Sequence, residues 1–419
     1  MWETFMKIWR NKDIRNGLLF ILFVLTVFRV VAHIPVPGID ASALTSIVNS
    51  NQYLGLINVL SGGTLKNFSV VALGVAPYIT ASIIFQLLGM IFPSMEEMQK
   101  EEQGRQKINT WTRWATVPLA ALQSFALLRA FGQQGPLAAA GFSLTGSETI
   151  VAIVSMVAGT IFLMWLGELI SEKKLGNGLS ILIFAGIIAS LPSFLAQTIA
   201  TYDSSQFMNM LILATLGIVM IAGVVLVSEA VRNISVQYAR GGSQKVTSNL
   251  PLRVNMGGMI PIIFALSLLT MPSLVAQFFV SARTAIVADI AKWIIAVFGN
   301  QLFYGAAYFL LVFMFTFFYA SIIFRPEQVA ENLQKQGGFI PGVRPGDHTT
   351  KYLQWVVNRI LLVGAAFLGL IAVLPVIVQQ FTGNQNLVIG GSSVIIVVSV
   401  VIDMIKQVES QLTMHEYEV

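Results

Sequence analysis

Ten long apolar runs constrain the fold of this chain more than any other feature of its sequence. Each run is close to the roughly 17 to 25 residues that an α-helix needs to cross a bilayer. The runs are residues 17–34, 70–92, 114–132, 149–170, 179–199, 208–229, 255–279, 302–324, 355–380 and 387–405. Inside a membrane the protein itself must satisfy its backbone polar groups, and barrel strands would appear as short alternating segments instead. The sequence therefore predicts an all-α polytopic membrane protein with ten transmembrane helices.

The composition agrees with this prediction and excludes several kinds of site. Hydrophobic residues make up 55% of the 419 residues and charged residues 11%, too few to cover a water-soluble globule of this length. The absence of cysteine excludes disulfides and thiolate metal sites, and the three histidines are scattered. We expect no metal and no cofactor. The first run carries Arg29 and no cleavage pattern of small residues, so we interpret it as a retained span.

The distribution of basic residues predicts the orientation in the membrane. With a cytoplasmic N-terminus, nineteen of the 25 lysines and arginines lie on the cytoplasmic side and four on the other side. Short loops rich in lysine and arginine stay in the cytoplasm. We therefore expect a multi-pass protein of the cell membrane, plasma or inner, with both termini in the cytoplasm.

Two pairs of spans share short motifs that suggest an internal repeat. The motifs are GVAPYI at 74–79 with GMIPII at 258–263, and GLSILI at 178–183 with GSSVII at 391–396. Five spans in each half make the second half run through the membrane in the opposite sense, and paired Gly/Pro interruptions in such halves indicate a central pathway. We predict two inverted five-helix halves, 1–200 with spans 1 to 5 and 201–419 with spans 6 to 10, around that pathway.

The repeat also suggests which side chains face the pathway. Ile79 and Ile83 lie one helical turn apart on the same face, as do Leu179 and Ile183. Each span would then present a double apolar row to the centre. The alternative is that these side chains touch lipid or pack between helices, as most isoleucines in membranes do.

Charged residues are missing from the middle of the spans. Glu168, Glu229 and Asp403 fall at cytoplasmic span ends, and Arg29 and Arg359 lie close enough to span ends to reach the interface. A solute transporter driven by protons or sodium usually keeps an ionisable group near the midplane. ATP-binding, zinc-protease and hydrolase motifs are also missing, so we expect no enzyme and an energy source in a partner. A secondary transporter of a small solute is the alternative.

Two cytoplasmic loops, 231–253 and 324–352, are where such a partner would bind. The second begins with a Pro-started amphipathic turn and ends in a run of glycines and prolines, which favours a projecting turn. Arg240, Lys245 and Arg344 near the loop tips are suited to nucleic-acid phosphates or to carboxylates of a protein. Alternatively, these residues act only as topology signals.

Two outer segments are too apolar for ordinary solvated loops. Residues 54–68, LGLINVLSGGTLKNF, have the length of a half-span helix. Such a helix either returns partway into the bundle, where irregular backbone is tolerated along a cavity, or lies on the outer surface. Residues 287–298 are interrupted by Asp289 and Lys292, so we place them outside, at the interface.

Several long motifs make the sequence resemble the SecY family of protein-conducting channels in its bacterial form. The motifs run in order along nearly the whole chain. They are IPVPGID, SGGTLKNFSVVALGVAPYITASIIFQLL, FLMWLGELISEKKLGNGLSILIFAGI, LPLRVNMGGMIPIIFA and AENLQKQGGFIPGVRPG.

The resemblance implies a clamshell of two five-helix halves around an hourglass pore with an apolar ring at its waist. Motif by motif, the ring falls on Ile79, Ile83, Leu179, Ile183, Ile263 and Ile396. Leu179 departs from the isoleucine expected there but keeps apolar bulk, so we expect a working seal. The plug is expected within 54–68, on Leu56, Ile57, Leu60, Ser61, Gly62 and Leu65. The lateral gate is expected between spans 2 and 3 and spans 7 and 8, with Gln86, Gln123 and Asn255 as candidates for closing it by hydrogen bonds.

The resemblance also implies the partners. The cytoplasmic loops are expected to bind the ribosome and the motor ATPase SecA, with Arg344 at the family's loop arginine. SecE and SecG are the expected membrane subunits, and signal peptides and nascent polypeptides the expected substrates. The implied function is to pass unfolded secretory chains across the membrane and to release membrane spans into lipid. VRNISVQYARGG, at 231–242, has fewer basic residues than many bacterial relatives.

Overall fold

The computed structural model describes residues 9–37, 61, 63–133, 146–200, 207–238, 246–280, 284–382 and 386–418. Within these ranges the helices are α1 Lys12–Val31, α2 Ala76–Ile91, α3 Pro93–Lys100, α4 Glu102–Gln133, α5 Gly146–Glu172, α6 Gly178–Ala200, α7 Phe207–Glu229, α8 Ile260–Phe279, α9 Ala285–Gly299, α10 Gln301–Ile323, α11 Pro326–Lys335, α12 Asp347–Thr382 and α13 Asn386–Glu418. The strands are β1 Val231–Tyr238, β2 Val246–Arg253 and β3 Gly338–Phe339.

Each of the ten predicted apolar runs lies on a helix, which confirms the prediction of a helical membrane protein. The helices concerned are α1, α2, α4, α5, α6, α7, α8, α10, α12 and α13. Among the described residues, α1, α5, α8, α10 and α12 are each long and apolar enough to cross a membrane. The pair α2 and α3 passes the same test together, with a bend of 114° between them. Shorter apolar stretches lie in α6 and α7, at Gly178–Pro192 and Ala214–Glu229.

The packing of the helices repeats between the two halves. In the first half α2 packs on α4, α4 on α5 and α5 on α6, and in the second half α8 packs on α10, α10 on α12 and α12 on α13. The first helix of each half packs against the last two long helices of its own half: α1 contacts α5 and α6, and α7 contacts α12 and α13. This correspondence supports the internal repeat inferred from the sequence motifs.

The two sets of helices meet along two seams. At one seam α8 packs against α2 and α4, and at the other α6 packs against α13. The halves are therefore in contact at two separate places.

The starts of α2 and α8 have the same backbone geometry. Gly74 and Gly258, two residues before each helix, have φ of +57° and +59°, a left-handed conformation that favours glycine. Pro77 and Pro261 occupy the second position of each helix, where a missing N–H costs no intrahelical bond. The other motif pair differs, because Gly178 begins α6 whereas Gly391 lies inside α13.

Gly74→Ala is expected to destabilise the protein. The left-handed backbone alone costs an L-residue roughly 1–2 kcal/mol, and a Cβ at this position would overlap the Cα of Ser61. Gly217→Ala in α7 is the control, since a Cβ there meets nothing within 4 Å and alanine favours the helix. The measurement is the thermal unfolding midpoint in detergent. Equal midpoints for the two variants would contradict the prediction.

The loop 231–253 forms a β-hairpin, which the sequence analysis did not predict. β1 pairs with β2 in antiparallel register, with Ile234 opposite Leu250, and β3 adds to the other edge of β1 in the order β2-β1-β3. The signal was the alternation in β1, where Ile234 and Val236 are buried and Ser235 between them is exposed. Pro251 is tolerated because β2 is an edge strand.

The structure describes one of the two outer segments fully and the other only in part. Residues 287–298, which the sequence analysis placed outside at the interface, lie in α9, which packs against α8 and α10 and exposes Ile286, Ile290 and Trp293. Within 54–68, the structure describes Ser61 and the residues from Gly63 onward, with one 3-10 turn at Leu65–Asn67. The predicted half-length helix falls mostly outside the described residues.

Candidate functional site

The six predicted ring residues come together in one apolar cluster. Five of them are almost fully buried, with exposed fractions of 5% for Ile79, 3% for Ile83, 2% for Ile183, 4% for Ile263 and 0% for Ile396. Leu179 is half-buried and packs against the same cluster. These residues belong to α2, α6, α8 and α13, the helices that form both seams between the halves. The sequence positions therefore converge where the two halves meet.

Four of the ring side chains line a cavity of about 150 Å³. Its lining combines four ring residues with polar and aromatic groups from the same helices and from α10. The lining residues are Tyr78, Ile79, Ser82, Gln86, Asn177, Leu179, Ser180, Ile183, Ile260, Ile263, Phe264 and Tyr319. The first turns of α6 and α8 and the last turns of α10 line the same cavity, so it opens toward the side predicted to be cytoplasmic. Polar and apolar side chains line this vestibule in equal number, and four of the apolar ones are predicted ring residues.

The C-terminal part of the predicted plug segment packs against the residues that precede α2. Ser61 lies against the backbone of Gly74, and its exposed fraction is 2%. The Thr64 hydroxyl lies 3.0 Å from the carbonyl oxygen of Ser61 and 2.8 Å from that of Val71. Leu65 is fully buried in a second apolar cluster with residues of α4 and α5. The other predicted plug residues, Leu56, Ile57, Leu60 and Gly62, lie outside the described residues.

The three amides predicted to close a lateral gate bond elsewhere in this structure. Gln123 of α4 donates from Nε2 to the Thr80 hydroxyl of α2 at 3.5 Å, within the first half. Gln86 donates to Ser82 of its own helix at 2.8 Å, and Asn255 donates to the Ser228 hydroxyl of α7 at 3.4 Å. These bonds do not join α2 or α4 to α8.

A small polar cluster lies at the seam itself, and of its members the sequence analysis named Gln123 as a gate residue but missed the three hydroxyl groups. A cavity of about 20 Å³ lies between α2, α4 and α8, and polar groups from both halves line it: Thr80, Gln123, Ser267 and Thr270. The Ser267 hydroxyl is buried and has no hydrogen-bond partner among the described residues. The available signal was the i, i+3 spacing of Ser267 and Thr270 on one face of an otherwise apolar span.

Two of the described ion pairs join different helices. Arg113 of α4 pairs with Glu168 of α5 at 2.7 Å. Lys406 of α13 pairs with Glu229 at 2.9 Å and donates to the carbonyl of Ser228 at 2.8 Å, which caps the end of α7. Within the described ranges, no group of three or more His, Asp or Glu side chains is arranged to hold a metal ion.

The two loops that are predicted to be cytoplasmic form one packed platform. β3 of the second loop pairs with β1 of the first, with Gln237 opposite Phe339 and Tyr238 opposite Gly338. Beneath the sheet, Ile234 and Val236 pack in an apolar cluster with Leu333 of α11. In α11 a 2.7 Å contact and hydrogen bond with Lys335 lowers the pKa of the exposed Glu331 carboxyl. Arg240 and Lys245 fall between β1 and β2, outside the described residues.

Arg344 is exposed on this platform in a rigid turn. Gly342 and Gly346 on either side have φ of +82° and +91°, and the Thr349 hydroxyl donates to the Arg344 carbonyl at 2.9 Å. Its backbone is therefore fixed, while its guanidinium makes no ion pair with a described carboxylate. A fixed backbone with an unpaired guanidinium suits recognition of an anionic group on a partner.

Comparison with known proteins agrees with this arrangement. The family model described as SecY matches residues 69–405. The chain is 41% identical over 446 residues to the protein translocase subunit SecY of Streptomyces galbus, covering 100% of this chain and 99% of that protein. The SecY subunits of Thermotoga maritima and Bacillus subtilis are 39% and 40% identical, with 100% of this chain covered and 97% and 99% of those proteins.

Solved structures share the fold. A structure described as a protein conducting channel matches with a TM-score of 0.68 at 18% identity, covering 94% of this chain and 91% of that chain. Sec61 in a canine ribosome-channel complex from the endoplasmic reticulum matches with a TM-score of 0.65, at the same identity and coverage.

Proposed function

The chain belongs to the SecY family and is a protein-conducting channel, and from this premise we propose how its own residues seal and open the pore. The single observation that carries the proposal is that ring residues from both halves, Ile79, Leu179, Ile183 and Ile263, line one cavity, while Ile83 and Ile396 are buried in the same apolar cluster. An apolar constriction sheds water and blocks ions, yet it offers a passing chain no side-chain-specific attraction.

The two seams have different roles in this proposal. The seam of α2 and α4 with α8 is the lateral gate, through which signal sequences and membrane spans leave for lipid, and the seam of α6 with α13 is the hinge. The polar cluster of Thr80, Gln123, Ser267 and Thr270 supports this choice, because uncharged polar groups hold helices together weakly enough to separate. Residues 1–200 and 201–419 are the two halves that move.

The segment that includes Ser61 and Leu65 is the plug. Its support is the close contact between Ser61 and Gly74, which ties the segment to the start of α2. Movement of α2 at the gate then displaces the plug directly, so that sealing and gating are coupled through one glycine.

Partner proteins supply the energy for transport. We assign the platform of β1, β2, β3 and α11 to the ribosome and to the motor ATPase SecA, with Arg344 as a contact, and SecE and SecG to the membrane-facing sides. The excess of basic residues in the platform loops supports a cytoplasmic platform and cytoplasmic termini in the cell membrane. The chain does no catalysis of its own.

A stalled secretory chain tests the pathway. A photo-crosslinker placed at Ile79 or at Ile263 is expected to capture the stalled chain, because both side chains lie at the constriction. The matched control is a crosslinker at Ile84, whose side chain is 42% exposed on the outer face of α2. Capture at Ile84 and not at the ring positions would place the pathway elsewhere and contradict the proposal.

A further inference from the structure

A second groove, which shares Gln86 with the vestibule above the ring, lies at the cytoplasmic end of the seam between the halves. It has a volume of about 510 Å³, within the roughly 300–1,000 Å³ typical of small-molecule sites. Residues of α2, α3 and α4 form one wall, and residues at the end of α10 and in α11 form the other. The lining residues are Gln86, Gln99, Arg105, Ile108, Asn109, Ile322, Ile323, Arg325 and Gln328.

The groove has positive charge with nothing to neutralise it. Arg105 and Arg325 come from opposite walls, and within the described part of the chain neither guanidinium has a carboxylate at ion-pair distance. The acidic neighbours in sequence, Glu102 and Glu327, do not line the groove. Two arginines that converge without a counter-charge are suited to bind a phosphate, because the guanidinium fork matches phosphate oxygens.

The groove lies at the level of the membrane interface. Trp111 and Trp114 follow Arg105 by about two turns of α4, with exposed fractions of 42% and 74%, and such tryptophans mark the headgroup region. Below the arginines the floor is apolar, with Ile108, Ile322 and Ile323. A phosphate above an apolar floor at this depth is the arrangement that a phospholipid presents.

One further lining atom indicates the headgroup. The Oε1 atom of Gln86 is buried and accepts no hydrogen bond in the described structure. The phosphodiester of a phospholipid carries no proton at neutral pH, so within a lipid a donor to this acceptor has to come from the rest of the headgroup, such as a hydroxyl group.

We propose that this groove binds the headgroup of an anionic phospholipid with a hydroxyl-bearing headgroup, such as phosphatidylglycerol, at the cytoplasmic mouth of the seam. The phosphate lies between Arg105 and Arg325, and the acyl chains leave over Ile322 and Ile323. Because the two arginines belong to opposite walls, a bound lipid ties α4 to α11 across the seam. The inference depends on the membrane placement of these helices and not on the identity of the pore ring.

Lipid retention tests the proposal. The full chain is placed in phosphatidylcholine nanodiscs with a minor fraction of phosphatidylglycerol, released into mild detergent, and its bound lipids are measured by native mass spectrometry. Arg105→Gln/Arg325→Gln is expected to weaken phosphatidylglycerol binding by about tenfold or more, because both charged hydrogen-bond donors are lost. The control Lys107→Gln/Lys335→Gln removes the same charge from the same two walls outside the groove, and should change binding by less than about twofold.

Two further arms make the test specific to the groove. Gln328→Trp keeps both arginines but fills the groove, and it should weaken binding as well, so the result does not depend on one variant folding normally. Inorganic phosphate should not displace the lipid, and displacement would assign the groove to a free anion. Equal losses in the arginine and lysine variants would show a diffuse charge effect and overturn the site, as would unchanged binding in the arginine variant.

Discussion

Arg344→Glu is expected to abolish transport powered by SecA while leaving the channel inserted in the membrane. Arg344 is exposed and its guanidinium has no carboxylate partner in the described structure, so its loss does not disturb the fold. Removing one partner of a buried, hydrogen-bonded charge pair at an interface costs about 2–5 kcal/mol. Such a loss weakens the affinity for the motor by about thirtyfold or more, and the reversed charge adds repulsion.

The measurement is protease protection of a secretory precursor in inverted vesicles that contain each variant with SecA and ATP. Lys351→Glu is the matched control, because Lys351 is also exposed and lies near the start of α12, only seven residues later. The control should retain most of its transport. If Arg344→Glu transports normally, Arg344 is not a contact of the motor, and if both variants fail alike, the platform responds to net charge and not to this residue.

Ile83→Asn and Ile396→Asn are each expected to make the resting channel leak ions and accept defective signal sequences. Both side chains are almost completely buried in the central cluster, at 3% and 0% exposure. An amide in that position attracts water into a constriction that otherwise sheds it. It also lacks hydrogen-bond partners in the closed state, which destabilises that state by about 1–3 kcal/mol and shifts the population toward open channels by roughly fivefold or more.

The neighbouring residue supplies the control. Ile84→Asn makes the same change one position along α2, where the side chain is 42% exposed on the outer face. Ion release from vesicles and export of a precursor with a weakened signal sequence are measured for all three variants. Leak confined to the Ile83 and Ile396 variants supports the ring, whereas unchanged conductance and selectivity in both variants would remove these residues from it.

The helices and their repeat were predictable because their signals are local. A run of about twenty apolar residues crosses a bilayer whatever its neighbours do, so the ten runs appear as helices. The Gly and Pro pattern before α2 and α8 also acts locally, through positive φ at Gly74 and Gly258 and proline in the first turn.

The packing partners were not predictable in the same way. The lateral amides bond within one half or within one helix, as Gln123 does to Thr80 and Gln86 to Ser82. Which small hydroxyl faces a seam depends on how two helices are rotated against each other. The i, i+3 spacing of Ser267 and Thr270 indicates a shared helix face, but not which neighbouring helix that face contacts. The joining of β3 to β1 also pairs residues that are far apart in the sequence, Gln237 with Phe339.

The sequence by itself determined that this is a helical membrane protein with a repeated core, which helices carry the repeat, and the family to which it belongs. Only the tertiary structure decided which apolar residues face inward. Ile83 and Ile84 are adjacent and chemically identical, yet Ile83 is buried in the central cluster and Ile84 is exposed. In a water-soluble protein, apolar residues favour the core and polar residues the surface. Lipid is as apolar as a protein core, so in a membrane protein apolar character alone does not predict whether a residue faces the core or the lipid.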